Sequence, residues 1–178
     1  MKTYIALLRG INVSGKNKIL MADLKIMLQE MGFKDVQTYI QSGNVVLKTL
    51  EKDSSQIELK IRDKIYTTFS FTIPVIVLDK NSFKKIWEEN PFDIVPEEAK
   101  KNIYFTLFQS SPEISLLKSF KKEFFPNEQF GVNEKCCYLN CLKGYGKAKL
   151  NNNLLERKLK IVATTRNYKT MKTLMSLV

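Results

Sequence analysis

Histidine is absent from this 178-residue chain. That excludes Ser–His and Cys–His nucleophiles, imidazole acid/base steps and His-ligated metals. No apolar stretch approaches the ~18 residues of a membrane span, and the first run, Tyr4 to Leu8, is too short for a signal-peptide core. Cysteine is sparse: Cys136, Cys137 and Cys141 form an odd set within six positions. A disulfide framework does not fit that number, and a reducing cytoplasm does. A structural zinc site needs about four Cys/His ligands, so the thiols read as small buried hydrophobes, with Cys137 and Cys141 facing one way on a strand and Cys136 the other.

Acid is missing where base is plentiful. The net charge is +11. Residues 1–20 carry Lys2, Arg9, Lys16 and Lys18 and no carboxylate, and residues 142–178 carry nine basic residues with Glu156 as the one acid. These two ends hold +12 together, and the middle of the chain holds −1. Uniform lysine for solubility would not segregate so, and the pattern predicts an anion-facing surface built from both ends.

The apolar content, 44%, suits a folded core. Periodicity gives a strand at Tyr4–Arg9 and a loop at Gly10–Lys18. A helix follows from Met21, closed by a Gly32-Phe33 cap. Strands at Val36–Ile40 and Val45–Lys48 flank a Gln41-Ser42-Gly43-Asn44 turn. Ser55-x-x-Glu58 reads as a capping box opening a helix on Ile57, Ile61, Ile65 and Phe69. A strand at Ile73–Leu78 and a helix capped by Asp79 complete a β-α-β-β-α-β-α order. The second half repeats it. Ile103–Phe108 is a strand, and Ser111-Pro112 opens a helix on Ile114, Leu117 and Phe120. Strands follow at Gln129–Val132 and Cys136–Cys141, then a helix from about Lys147, a strand at Ile161–Ala163 and a last helix on Met171, Leu174 and Met175. The fold class expected is α+β, two tandem ferredoxin-like units each followed by an extra helix. The expected division is 1–90, a linker at 91–102, and 103–178. A single continuous sheet is the alternative.

Three segments are candidate ligand sites. Arg9, Asn12, Lys16, Asn17 and Lys18 lie in a strand-to-helix loop whose backbone N–H groups and lysines suit an anion. It is not a Walker loop: Gly10 and Gly15 have the spacing, but Lys16-Asn17 lacks the magnesium-binding hydroxyl. Tyr39, Gln41, Ser42 and Asn44 form the hairpin. Parallel first and second strands put that hairpin at the same end of the sheet as the loop. Gly144-Tyr145-Gly146-Lys147-Ala148-Lys149 precedes a helix, with Lys147 and Lys149 as its candidates, and Arg166 and Asn167, after the last strand, are expected at the same end of the unit as Lys147. A tight structural loop is the competing reading of each segment. No carboxylate lies in any of them, so general acid/base work by a free carboxylate is not indicated. Catalytic residues, cofactors and a metal are not indicated.

Leu7-Leu8-Arg9-Gly10-Ile11-Asn12-Val13-Ser14-Gly15-Lys16-Asn17-Lys18, Thr38-Tyr39-Ile40-Gln41-Ser42-Gly43-Asn44-Val45 and Ala163-Thr164-Thr165-Arg166-Asn167 are distinctive strings. On these the chain resembles, over its full length, the bacterial domain-of-unknown-function family numbered 1697. The resemblance implies duplicated ferredoxin-like units, allows exchanged N-terminal strands, and implies no activity. Ala148 departs from the Ser or Thr usual after the Gly-x-Gly, and Tyr168 from the common Trp.

The function these features fit is binding of a phosphate-bearing ligand, with nucleic acid ahead of a small molecule. Tyr104, Phe108 and Tyr138 are the aromatics an RNA-recognition sheet would use in the second unit, but the first unit has none on Asn44–Leu47, and no RNA-recognition octamer occurs. A nucleotide or phosphometabolite enzyme or sensor and an interaction scaffold are the alternatives. No membrane partner is expected, and neither a reaction nor an oligomeric state is legible.

Overall fold

A computed structural model describes residues 1–13 and 15–178; Ser14, part of the first loop motif, lies outside the described residues. The chain divides into two compact units, Met1–Lys84 with Leu174–Val178, and Lys85–Thr173.

In the first unit β1 (Lys2–Leu8) is the apolar run of the N-terminus, and it takes a central place with hydrogen-bonded neighbours on both sides. α1 (Met21–Glu30), β2 (Lys34–Tyr39), β3 (Asn44–Thr49), α2 (Ser54–Phe69) and β4 (Val75–Asp79) follow. The sheet order is β2-β3-β1-β4, every pairing antiparallel. Tyr4, Ala6 and Leu8 of β1 join Val45, Leu47, Val75 and Val77 under Leu24 and Leu28 of α1 and Ile57, Ile61 and Ile65 of α2. Each Val, Leu and Ile side chain among them contributes about 1.5–3 kcal/mol on burial. Ile5, Leu7, Val46 and Ile76, on the opposite face, are buried too.

α3 (Lys80–Glu88) leads through a 3-10 segment at Glu97–Asn102 into β5 (Ile103–Phe108). α4 (Ile114–Phe120), β6 (Glu128–Val132), β7 (Cys136–Cys141), α5 (Asn152–Leu159), β8 (Ala163–Asn167) and α6 (Tyr168–Ser176) complete the chain. The second sheet, β6-β7-β5-β8, is again antiparallel throughout. Two four-stranded sheets, rather than one continuous sheet, therefore carry the fold. Each sheet draws its four strands from its own half, so no N-terminal strand is exchanged between them.

Capping corrects several expected element ends. α2 is capped by Asp53, whose carboxylate accepts from Ser55 N (2.8 Å), so Ser55 is inside the helix rather than its cap. Glu58 instead accepts from Val77 N (3.4 Å) on β4. Ser111-Pro112 does not open α4, which starts at Ile114 without a side-chain cap, and Ile114 is exposed, leaving Leu117 and Phe120 as the inner face. No α-helix begins at Lys147: a three-residue 3-10 turn, Tyr145–Lys147, comes first, and α5 begins at Asn152 with Asn151 as its cap. The last strand runs later than Ile161–Ala163 suggests, so Arg166 and Asn167 lie in β8 instead of after it. The Gly32 cap of α1 and the Asp79 cap of α3 form as the sequence indicates.

All three thiols are buried, Cys137 and Cys141 in the helix-side core and Cys136 outside that cluster. Burial raises each thiol pKa, that of Cys141 to about 11 with Glu128 adding to the effect. The reactive thiolate is therefore scarce at neutral pH. Iodoacetamide at pH 8 should label none of the three in the folded protein and all three in guanidinium; rapid labelling of the native state would contradict this packing.

Gly43 has φ +73, and a Cβ there would stand 2.6 Å from Leu8 Cβ and 2.9 Å from Ile11 Cδ1. Gly10 has a similar φ of +70 with nothing within 4 Å. Gly43→Ala should therefore lose about 2–5 kcal/mol in urea unfolding, strain plus overpacking, whereas Gly10→Ala loses about 1–2 kcal/mol from strain alone. Equal losses would show that the close approach is unimportant.

Candidate functional site

The antiparallel pairings make β1 and β2 parallel, so the segment leaving β1 and the β2–β3 hairpin share one end of the first sheet. Contacts join them. Leu8 N donates to Gly43 O (2.8 Å), and Arg9 N donates to Pro74 O (2.9 Å). Asn12, at φ +54, is the main tie. Its Nδ2 donates to Ile19 O and to Gln41 O, both at 2.8 Å, and its Oδ1 accepts from Ile19 N at 2.9 Å. One amide thus closes the 12–19 loop and fastens it to the hairpin. Asn17 Nδ2 donates to Gly10 O (3.0 Å), Asn12 N donates to Asn17 O (3.2 Å), and Lys16 N donates to Val13 O (3.0 Å).

The hairpin has its own tie. Asn44 is fully buried, and its Nδ2 donates to Tyr39 O (3.1 Å) and Ser42 Oγ (3.0 Å). Ile40 follows β2 at φ +48 and is 49% exposed. A β-branched residue in that conformation costs of order 1–3 kcal/mol.

Asn12, Gly15, Lys16, Lys18, Ile19, Leu20 and Gln41 line an open cleft of about 390 Å³. Lys16 and Lys18 are exposed and form no salt bridge with the described residues, and no carboxylate lines the cleft. α1 begins at its edge, and Leu20 at the N-cap supplies no side-chain acceptor for the first N–H groups. So the structure brings Asn12, Lys16, Lys18 and Gln41 around one cavity. Asn17, Ser42, Asn44 and the Tyr39 carbonyl brace its walls, and Arg9 stands half-buried at the root of the loop.

The second unit disposes of its candidates differently. Glu128, 8% exposed, accepts from Lys149 N (3.1 Å) and Leu150 N (3.0 Å). An internal carboxylate therefore already occupies amides following the glycine-rich segment. Asn151 Oδ1 accepts from Leu154 N (3.1 Å), which caps α5. Asn167 Oδ1 accepts from Thr170 N (2.8 Å), which caps α6. Arg166 is buried, with Nη1 donating to Thr164 Oγ1 (2.7 Å) and Thr165 O (2.9 Å), and burial brings its pKa down to about 10. Lys147, Lys149 and Asn167 of this set are exposed, with the Asn167 amide oxygen held in the α6 cap. The sequence missed Glu128; its place opposite Cys141 on the β6–β7 pairing depends on register, which no motif displays.

The aromatics expected on a base-stacking sheet are engaged inside the second unit. Tyr138 is 3% exposed, donates to Ile86 O (3.0 Å) and meets Phe105 edge-on, while Phe108 is buried in the helix-side core. Tyr104 stacks on Tyr145 with centroids 4.6 Å apart. Trp87 lies against Phe105 and Tyr168.

Asn12→Ala should lower stability by about 1–3 kcal/mol, because it strands the Ile19 and Gln41 backbone groups. Asn12→Asp, which turns a carboxylate oxygen toward the Ile19 and Gln41 carbonyls where Nδ2 donated, should lose at least as much as Ala. Urea midpoints check this, and an Asn12→Ala midpoint equal to wild type would remove Asn12 as the tie.

No curated protein matches the chain. Among solved structures, the conserved bacterial protein SP0830 from Streptococcus pneumoniae is similar, with a TM-score of 0.78 and 22% sequence identity over 99% of this chain and 98% of that one. At that identity the likeness speaks for the fold alone. A family described as protein of unknown function, DUF1697, matches residues 1–138. With most of its length inside that match, the chain belongs to the DUF1697 family.

Proposed function

We propose that this protein binds a small phosphate-bearing ligand in the cleft between the Arg9–Leu20 loop and the Gln41 hairpin. The observation that carries the reading is two lysines without salt-bridge partners among the described residues, Lys16 and Lys18, on a cavity that no carboxylate lines. The unassisted N-terminus of α1 at the cavity edge adds to it. The internal ties of the asparagines support it as well: a loop already fixed loses little freedom on meeting a ligand.

We read both units as ferredoxin-like in tandem. The β-α-β-β-α-β order and the strand orders β2-β3-β1-β4 and β6-β7-β5-β8 support that layout. Proteins of this layout that bind RNA through the sheet need an open, aromatic face. The buried Ile5, Leu7, Val46 and Ile76 of the first sheet and the packed Tyr138 and Phe105 of the second argue against that use. For this reason the small ligand stands ahead of nucleic acid. Backbone-led nucleic-acid binding keeps one support, the +12 charge of the two ends.

An amide-resolved NMR titration with pyrophosphate tests the proposal. Shifts are expected at Gly10, Gly15, Gln41 and Gly43, and the Lys16→Ala, Lys18→Ala double variant should bind roughly tenfold more weakly, about 1.4 kcal/mol. Shifts confined to residues 143–160 would overturn the placement. Affinity that rises with oligonucleotide length and collapses with salt would move the function to nucleic acid.

A further inference from the structure

The lysines account for the anion, but not for the aliphatic side chains beside them. Val13 is 56% exposed, Leu20 57% and Ile40 49%. Single exposed aliphatics are ordinary on protein surfaces. Ile40 is not ordinary, because its backbone is at φ +48. A β-branched residue is disfavoured there, where Asn or Gly would be comfortable. Its half-exposed side chain gains little packing to offset that strain. Conformation and packing both argue against isoleucine at this position.

The three aliphatics share one end of the first sheet. Leu20 lines the cleft, Val13 bridges to Lys16, which also lines it, and Ile40 directly precedes Gln41, whose carbonyl is held by Asn12. Gln41 is exposed and lines the same cleft, so its side-chain amide offers a donor and an acceptor to whatever enters. The surface therefore combines cations, aliphatic side chains and one amide, with no acidic residue in the chain before Asp23.

Resting on the reading of the cleft as a phosphate site, we infer that its ligand is a nucleoside phosphate. The phosphate would meet Lys16 and Lys18, the flat base would lie on Leu20 and extend beyond the cleft lining to Ile40, the residue before Gln41, and the Gln41 amide would pair with a base edge. A bare inorganic anion leaves the exposed aliphatics without purpose. A flexible alkyl phosphate would bury apolar surface but would lose more freedom on binding a shallow cleft than a rigid ring does, and it would leave the amide unused. The cavity, about 390 Å³, is of the size that takes a small organic ligand.

NMR titrations of the full-length chain with inorganic phosphate, hexyl phosphate and the four nucleoside monophosphates test this, on wild type and on Ile40→Asn. Wild type should bind at least one nucleoside monophosphate ten times more tightly than inorganic phosphate or hexyl phosphate. Ile40→Asn should weaken that binding at least fivefold, leave inorganic phosphate unchanged, and melt at a temperature equal to or above that of wild type, since it relieves strain. Hexyl phosphate binding as tightly as the best nucleotide would overturn the nucleoside assignment, as would an Ile40→Asn variant of unchanged nucleotide affinity. Phosphate and nucleotides binding equally would overturn the inference while leaving the phosphate site standing. No binding of any of them would remove the site itself.

Discussion

Gly43 touches Leu8 and Ile11 so closely that no β-carbon fits between them, and the loop-and-hairpin end of the first unit is organised by that contact. It is possible because β1 is buried on both faces, with Tyr4, Ala6 and Leu8 on one side and Ile5 and Leu7 on the other. A strand so placed cannot slip by one residue without exchanging its two apolar faces against different partners. Its register against β3, Leu7 opposite Asn44, is consequently fixed. The hairpin tip comes to rest on the start of the Arg9–Leu20 loop, and the Leu8 N to Gly43 O bond closes the junction. Asn12 then needs only to reach one carbonyl, Gln41 O, to lock loop to hairpin.

The same chain of dependence explains what was legible in the sequence. Strand and helix identities follow from local apolar spacing, and the order β-α-β-β-α-β-α reads correctly twice. The convergence of the loop with the hairpin was also legible, because it follows from strand direction alone. Helix starts were less so. Ser55, Ser111 and Lys147 sit in sequence contexts that suit a helix start, but Asp53, Glu113 and Asn151 take the N-cap positions. At α2 and α5 the cap is decided by which side chain meets an N–H group at the correct angle, and several neighbouring polar residues satisfy the sequence rule equally, while α4 starts with no side-chain cap at all. Arg166 shows the cost of a strand misplaced by a few residues: a residue expected on a loop becomes a buried member of β8.

Polar residue type was a poor guide to role. Asparagine suits a ligand contact and a backbone tie equally well, since its side chain mimics a peptide group. Asn12, Asn17, Asn44, Asn151 and Asn167 all bond to the backbone of their own chain. Lysine is different. Its long side chain remains mobile at a surface and its charge is left over once the backbone is satisfied. In this protein the asparagines tie the loops to their own backbone, and Lys16 and Lys18 stay exposed on the cleft they frame.

The two glycine-rich loops make that distinction sharper, because they solve one electrostatic problem in opposite ways. Backbone N–H groups without helical partners favour a negative charge. In the second unit the chain supplies its own: Glu128 is held inside at Lys149 N and Leu150 N, and Asn151 caps the helix behind it. In the first unit no acidic residue precedes Asp23, Leu20 gives the helix no side-chain acceptor, and Lys16 and Lys18 add positive charge at the same place. The two loops therefore differ in their amides rather than in their cations: Glu128 holds two amides of the second, and Lys147 and Lys149 stay exposed beside it. In the second half Glu128 accepts from two of these N–H groups within the fold, whereas the cleft of the first half has no carboxylate in its lining.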